Sequence, residues 1–333
     1  MVCTSFYDIF SDPLFVLMHH TRSPFPCILF SNYHSVYSIL ELKSDYDYNS
    51  CPKINPIVLS NEFHLPQLTV KVTLIGLCDG FISILVGFSQ RPDQFVYISN
   101  PLLGEYVELN MPKWDKRLHD VVYGFCSSQA SRQYKVLRSA QYREVTELEV
   151  YTLGVDEKWR ILEQGPFSHW GSFGDVIVNG ALHWIKDHYA SAMVSIYSFD
   201  IETEKTRAKL GDILCMSDSC KREYLDIWWM KEYGISESWV KLRISMNSIA
   251  RPGLCNPIYK PIIFWNDGEI LLQNNCRIEE FNSYNPKDEF LSKVIVYRGS
   301  AVVTTYILSF YSLKTVVGDT LEISKVYPKI EIV

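Results

Sequence analysis

Three short turns constrain this chain more than anything else in it. They are Asp79-Gly80 between LIGLC and FISIL, Asn179-Gly180 between VIV and ALHWI, and Asp267-Gly268 before EILL. Asn, Asp and Gly accept the positive φ angles of tight hairpin turns most readily, so each pair marks a hairpin between β-prone runs. About 20 residues after each turn comes a second hairpin signal, at Asn100-Pro101, Asp200 and Asn285-Pro286. Each pair of signals delimits four antiparallel strands within about 40 residues.

The three Gly turns lie 100 and 88 residues apart. A different four-strand unit fits between them, and its second hairpin carries a Trp, at Trp159 and again at Trp239. The alternation gives a unit of about 45–50 residues, the length of a propeller blade. The units fall at 70–111, 119–164, 173–210, 212–246 and 260–297, the fourth being short of strands before Asp226. A sixth is half present at Ala301 to Leu313, with its missing strands supplied by Cys27 to Leu42. Pairing strands from both ends of the chain removes edges that an open sheet would expose. The expected fold is all-β, a β-propeller of about six blades with seven as the near alternative, plus a short N-terminal helical stub. An irregular β-sandwich or two β domains fit the same turn spacing.

The stub is read from Val2, Phe6, Ile9 and Phe10, which share one helical face. Asp12-Pro13 then restarts a helix over PLFVLMHHTR, with Asp as N-cap and Pro at the first helical position.

Composition narrows the function classes. Of 333 residues 47% are apolar and 21% charged, as in globular proteins, and the net charge of −6 offers no basic stripe for nucleic acid. No run of 18 apolar residues occurs, so no membrane span is expected, and Asp8 and Asp12 argue against a signal peptide. Nine Cys, an odd number without CxxC, and the lack of an N-x-[ST] sequon point to reduced thiols and a cytoplasmic or nuclear protein. Phosphate-loop, nucleophile-elbow, zinc-protease and dinucleotide patterns are all missing, so no catalytic residue, metal or cofactor is assigned. His19 and His20 are adjacent, and helical neighbours diverge by about 100°, which rules out shared chelation.

Among the aromatics, Trp159, Trp184 and Trp239 read as packing between blades. Trp228 and Trp229 are neighbours on a strand and so face opposite sides. Trp170 sits in the loop GPFSHWGSFG. Because Trp dominates binding hot spots, Trp170, Trp228 and Trp229 are the candidate contacts for a partner protein.

Eleven short motifs in order also carry a resemblance. Gly76-x-Cys78-Asp79-Gly80, Asn100-Pro101, Tyr123-Gly124-Phe125, Tyr134-Lys135-Val136, Glu149-Val150-Tyr151 and Trp159-Arg160 resemble the associated domain of plant F-box proteins. So do Val178-Asn179-Gly180-Ala181-Leu182-His183-Trp184, Asp226-Ile227-Trp228, Ser238-Trp239, Asp267-Gly268-Glu269 and Ser309 to Leu313. The likeness covers roughly residues 24–318, and the S-locus F-box proteins belong to the same broad group.

The resemblance implies a division into 1–23, the end of an F-box whose earlier helices are missing here, 24–320, an interaction propeller, and 321–333, a tail. It implies adaptor contacts at Val2, Cys3, Phe6, Ile9 and Phe10, and a Skp-type adaptor and cullin complex as partners. The implied function is capture of a target protein for ubiquitination, without catalysis by this chain. A truncated, non-ligase binding module or decoy is one alternative. A propeller hydrolase is the other, and would need paired carboxylates about 5–10 Å apart.

Overall fold

A computed structural model describes residues 12–22, 27–31, 37–41, 57–60, 70–88, 91–113, 115, 117–142, 145–164, 173, 176–178, 180–187, 194–209, 215–218, 224–232, 235–245, 259–265, 269–274, 280–295, 302–307, 309–325 and 329–332. A helix α1 spans Pro13–Arg22. Asp12 Oδ1 accepts from the backbone N–H of Leu14 at 2.7 Å, the N-cap that its position before Pro13 predicts. Strands β1 (Cys27–Ser31), β2 (Tyr37–Glu41) and β3 (Ile57–Ser60) follow. Then come β4 (Val70–Cys78), β5 (Phe81–Phe88), β6 (Arg91–Asn100), β7 (Glu105–Leu109), β8 (Leu118–Ser127), β9 (Tyr134–Tyr142), β10 (Thr146–Thr152) and β11 (Arg160–Gln164). Further along are β12 (Val176–Val178), β13 (Ala181–Asp187), β14 (Val194–Asp200), β15 (Lys205–Lys209), β16 (Cys215–Asp218), β17 (Tyr224–Met230) and β18 (Trp239–Ser245). The last elements are β19 (Tyr259–Trp265), β20 (Glu269–Asn274), β21 (Glu280–Asn285), β22 (Phe290–Ile295), β23 (Val302–Tyr306), helix α2 (Leu313–Val317), β24 (Ser324–Lys325) and β25 (Lys329–Ile332).

The described strands form six antiparallel sheets, one for each unit that the turn repeat delimits. Four follow simple chain order: β8 to β11, β12 to β15, β16 to β18 and β19 to β22. The third of these has three described strands, in keeping with the short stretch before Asp226. The sheet that holds the first strands runs β23-β1-β2-β3-β25, and Leu29 pairs with Thr304 across it. Both chain ends therefore share one sheet, as the half-present sixth unit requires. The remaining sheet, β4 to β7, gains β24 on its outer edge through Tyr106 and Ser324.

The hairpins explain why these residues turn where they do. Asp79 and Gly80 have φ of 49° and 87°, so the tight β4–β5 turn uses two left-handed residues. Gly180 has φ of 73°; Asn179, Asp267 and Gly268 lie outside the described residues. The second hairpin type is a repeated Asx turn. Asn100, Asp200 and Asn285 each accept backbone N–H groups two or three residues on. The residue four places later is left-handed in all three: Gly104, Glu204 and Glu289.

The chain divides into two compact units, residues 1–24, 61–210 and 307–329 in one and 25–60, 211–306 and 330–333 in the other. In the first unit, the sheet β8 to β11 is buried on both faces. Tyr123, Phe125, Val136 and Tyr151 pack with Phe81, Ile98 and Val107 of the preceding sheet. The alternate residues Val122, Cys126, Leu137 and Val150 pack with Leu182, Trp184 and Phe199 of the next. Side chains of a strand alternate between faces, so this stack of sheets in chain order is how blades cover one another. In the second unit, Leu225, Ile227 and Ile244 pack on Tyr259, Ile270 and Tyr284 in the same manner.

Candidate functional site

The residues singled out from sequence separate into those the structure describes and those it does not. Val2, Cys3, Phe6, Ile9 and Phe10 lie outside the described residues, as does Trp170 in the stretch between β11 and β12. Trp229 is placed as a strand residue pairing with Cys215 and Val240, and its side chain lies outside the described part. Trp228 is described in full, and the site is built around it.

Strand β17 alternates strictly. Leu225 and Ile227 are buried, whereas Tyr224, Asp226 and Trp228 share the other face and are half-buried. Strand β18 alternates in step, with Ile244 buried and Lys241 and Arg243 exposed. The register sets Trp228 opposite Lys241 and Asp226 opposite Arg243. Side chains directly opposite on one face lie within contact distance, so the pairing builds a cross-strand ladder.

Each cation in the ladder lies over a ring. Lys241 Nζ is 4.7 Å from the centroid of Trp228, and the Arg243 guanidinium is 4.9 Å from that of Tyr224. Both cations also share one carboxylate. Arg243 Nε and Nη2 donate to Asp226 at 2.7 and 2.8 Å, a bidentate pair, and Lys241 Nζ lies 2.6 Å from Asp226 Oδ2. The Arg243 guanidinium first, and Lys241 after it, hold the Asp226 carboxyl well below the usual carboxylate range. The face therefore stays ionised at any physiological pH. On the other side of β17, β16 brings Met216 opposite Trp228 and Asp218 opposite Asp226.

Such a face can hold an extended polypeptide. It offers two half-buried flat rings and two cations held by rings and carboxylate together, at little further ordering cost on binding. Tyr224, Lys241 and Arg243 are absent from the sequence-level candidates. Their signal is the period of two in Tyr224-x-Asp226-x-Trp228 and Lys241-x-Arg243, legible only once the strand register is known.

The other conspicuous Trp residues hold sheets together. Trp159 Nε1 donates to the Asn110 carbonyl at 2.8 Å, and its ring meets Tyr123 and Tyr151. Trp184 is buried edge-on against Phe173 at 4.8 Å. The buried ion pair Arg138–Glu149 joins facing residues of β9 and β10. Glu204, left-handed at the end of its turn, bridges two sheets by binding Lys135 Nζ at 2.8 Å and Arg160 Nη2 at 3.0 Å. Burial pushes the Cys126 thiol up to about 12 and raises Cys78 as well, which leaves both protonated at neutral pH. Among the described residues no three His, Cys, Asp or Glu side chains are grouped to hold a metal ion, and no helix is long and apolar enough to cross a membrane.

Comparison with known proteins adds a family. Residues 27–232 match the F-box associated beta propeller domain. The chain is 25% identical over 272 residues to the F-box protein At3g07870 of Arabidopsis thaliana, covering 64% of this chain and 63% of that protein. It is 23% identical over 324 residues to the F-box/kelch-repeat protein At3g23880 of the same plant, covering 85% of this chain and 82% of the relative. A third relative there, the F-box protein At2g21930, is 27% identical over 274 residues, 72% of this chain and 66% of its own length.

Proposed function

The chain belongs to the family of F-box associated β-propeller domains, and from that premise we propose that it is the substrate-recognition component of a cullin-based ubiquitin ligase. In this reading residues 24–320 capture a protein, residues 1–23 serve the adaptor side through Val2, Cys3, Phe6, Ile9 and Phe10, and 321–333 form a tail. The partners are a Skp-type adaptor with its cullin and one target protein. The chain does no covalent chemistry; it holds a target so that the target's lysines meet a ubiquitin-charged enzyme brought by the complex. The family match over residues 27–232 carries the reading, and the names of the three plant relatives support it.

Target capture is assigned to the ladder of Tyr224, Asp226, Trp228, Lys241 and Arg243, with Trp170 and Trp229 as further contacts. Support comes from the pairing of aromatic rings with preorganised cations on a half-exposed face, where Trp228, Tyr224 and Arg243 are of the residue types that dominate binding hot spots. Gel filtration of the purified chain with purified Skp-type adaptor tests the ligase connection. Co-elution in a fixed ratio is the expected result. Elution of the two apart would instead make the chain a binding module without ligase function.

A further inference from the structure

We propose that Phe310 is a positioning residue: with His19 and Phe15 it fixes the direction in which helix α1 leaves the domain, so the C-terminal segment sets the placement of the N-terminal one.

The backbone around Phe310 is tightly held. Ser309 is fully buried, and its Cβ lies 2.2 Å from where a Cβ on Gly80 would stand, so the chain passes directly over the β4–β5 turn. Asn100 Nδ2 donates to the carbonyls of Ser309 at 2.9 Å and of Tyr311 at 2.7 Å. One step on, Ser312 Oγ donates to Glu105 at 2.8 Å, and the Leu313 N–H donates to the same carboxylate at 2.8 Å. Residues on both sides of Phe310 are thus pinned to one hairpin of the first unit, and buried bonds of this kind resist opening. The Phe310 side chain projects from a fixed base.

Helix α1 is seated on that base. His19 meets the Phe310 ring edge-on at 4.9 Å, Phe15 meets it at 5.9 Å, and Phe15 and His19 lie 6.0 Å apart. Phe15 and His19 are four residues apart and share a helix face, and Val16 beside them is only 6% exposed. Leu14 and Met18 are 70% and 47% exposed, so among the described side chains of the helix the buried face is the one that carries Phe15, Val16 and His19. A helix of 10 residues is marginal in water by itself, and its seat decides whether it persists. That this joint orients an adaptor-binding segment rests on the receptor reading above; the joint itself does not.

Hydrogen exchange of the intact chain, resolved by peptide, tests the joint without any partner. Phe310→Ala should raise exchange across α1 at least tenfold while β5 and β9 keep their protection, and Phe310→Tyr, which retains the ring, should restore α1. His19→Ala, which leaves the C-terminal segment untouched, should reproduce the loss. Wild-type protection of α1 in both alanine variants would overturn the proposal. So would equal loss across α1, β5 and β9, which would make Phe310 a general packing residue. Adaptor co-elution is a separate measurement and bears on the receptor reading alone.

Discussion

The side-chain amide of Asn100 donates to the carbonyl of Tyr311 over 2.7 Å, joining residues 211 positions apart. The same amide reaches the Ser309 carbonyl, while its oxygen caps its own turn through Leu102 and Leu103. One buried side chain thereby shapes a hairpin and ties down the C-terminal segment. That division of labour can be measured.

Asn100→Ala leaves a buried carbonyl, that of Ser309, and a partly buried one, that of Tyr311, without their donor and removes the turn cap. At about 1–3 kcal/mol for each unsatisfied buried group, the loss should reach about 2–4 kcal/mol in urea unfolding. Asn285→Ala occupies the equivalent turn, where the side chain accepts from Lys287 N–H and makes one long contact with Glu269. Its loss should stay near 1 kcal/mol, the usual worth of such a bond.

Two glycines separate backbone strain from contact with the C-terminal segment. Gly154 and Gly180 are both left-handed, at φ of 75° and 73°. A Cβ on Gly154 would stand 2.1 Å from the Val316 carbonyl oxygen in α2, whereas one on Gly180 meets nothing within 4 Å among the described residues. Gly180→Ala should cost about 1–2 kcal/mol, the left-handed penalty alone. Gly154→Ala should cost distinctly more and lower the exchange protection of α2. Equal costs would contradict the packing of α2 against that turn.

The contrast also marks what a sequence can reveal. Asp79-Gly80 announces its hairpin because both residues must be left-handed there, and any reader of local rules finds it. Strand alternation likewise puts Trp228 and Trp229 on opposite faces without a structure. The pairing of Ser31 to Cys27 with Val302 to Tyr306 follows from counting strands, since a half unit at one end needs the other end. The C-terminal anchor is different. Ser312 and Leu313 bond to Glu105, whose distance in sequence exceeds 200 residues, and nothing local in either segment signals the other. Lys241 and Arg243 were hidden for a related reason: only the register of β17 against β18 puts them over Trp228 and Tyr224.

Acid should loosen the first unit through Glu204. Hydrogen bonds from Arg160 and then Lys135 lower its pKa in the fold. A depressed carboxylate contributes stability that is fully present above its unfolded pKa, about 4.3, and is lost as pH falls through the folded value. Glu204→Gln should therefore cost about 2–3 kcal/mol at pH 7, as expected for hydrogen bonds to charged groups. The gap between variant and wild type should narrow below pH 4. A gap that does not begin to narrow as pH falls below 4 would contradict the assignment.

The thiols of Cys78 and Cys126 should resist alkylation. Both are buried, and burial raises both pKa values, that of Cys126 to about 12. Site-resolved maleimide labelling at pH 8 should leave these two unmodified in the folded chain and modify them fully in urea. Labelling at the denatured rate without urea would contradict their packing between sheets.

Target capture through the cation–ring ladder makes Trp228 and Lys241 necessary for binding. Trp228→Ala combined with Lys241→Ala alters a half-exposed face, and unfolding stability should change by no more than about 1 kcal/mol. Proteins retained by the wild-type chain in plant extract and not by the double variant form the candidate target set. The deciding measurement is lysine ubiquitination across that set, quantified in plants with the chain, without it, and with the double variant. Lower ubiquitination both without the chain and with the double variant is the predicted result. An identical retained set for the two forms, or ubiquitination that ignores the chain's removal, would contradict it.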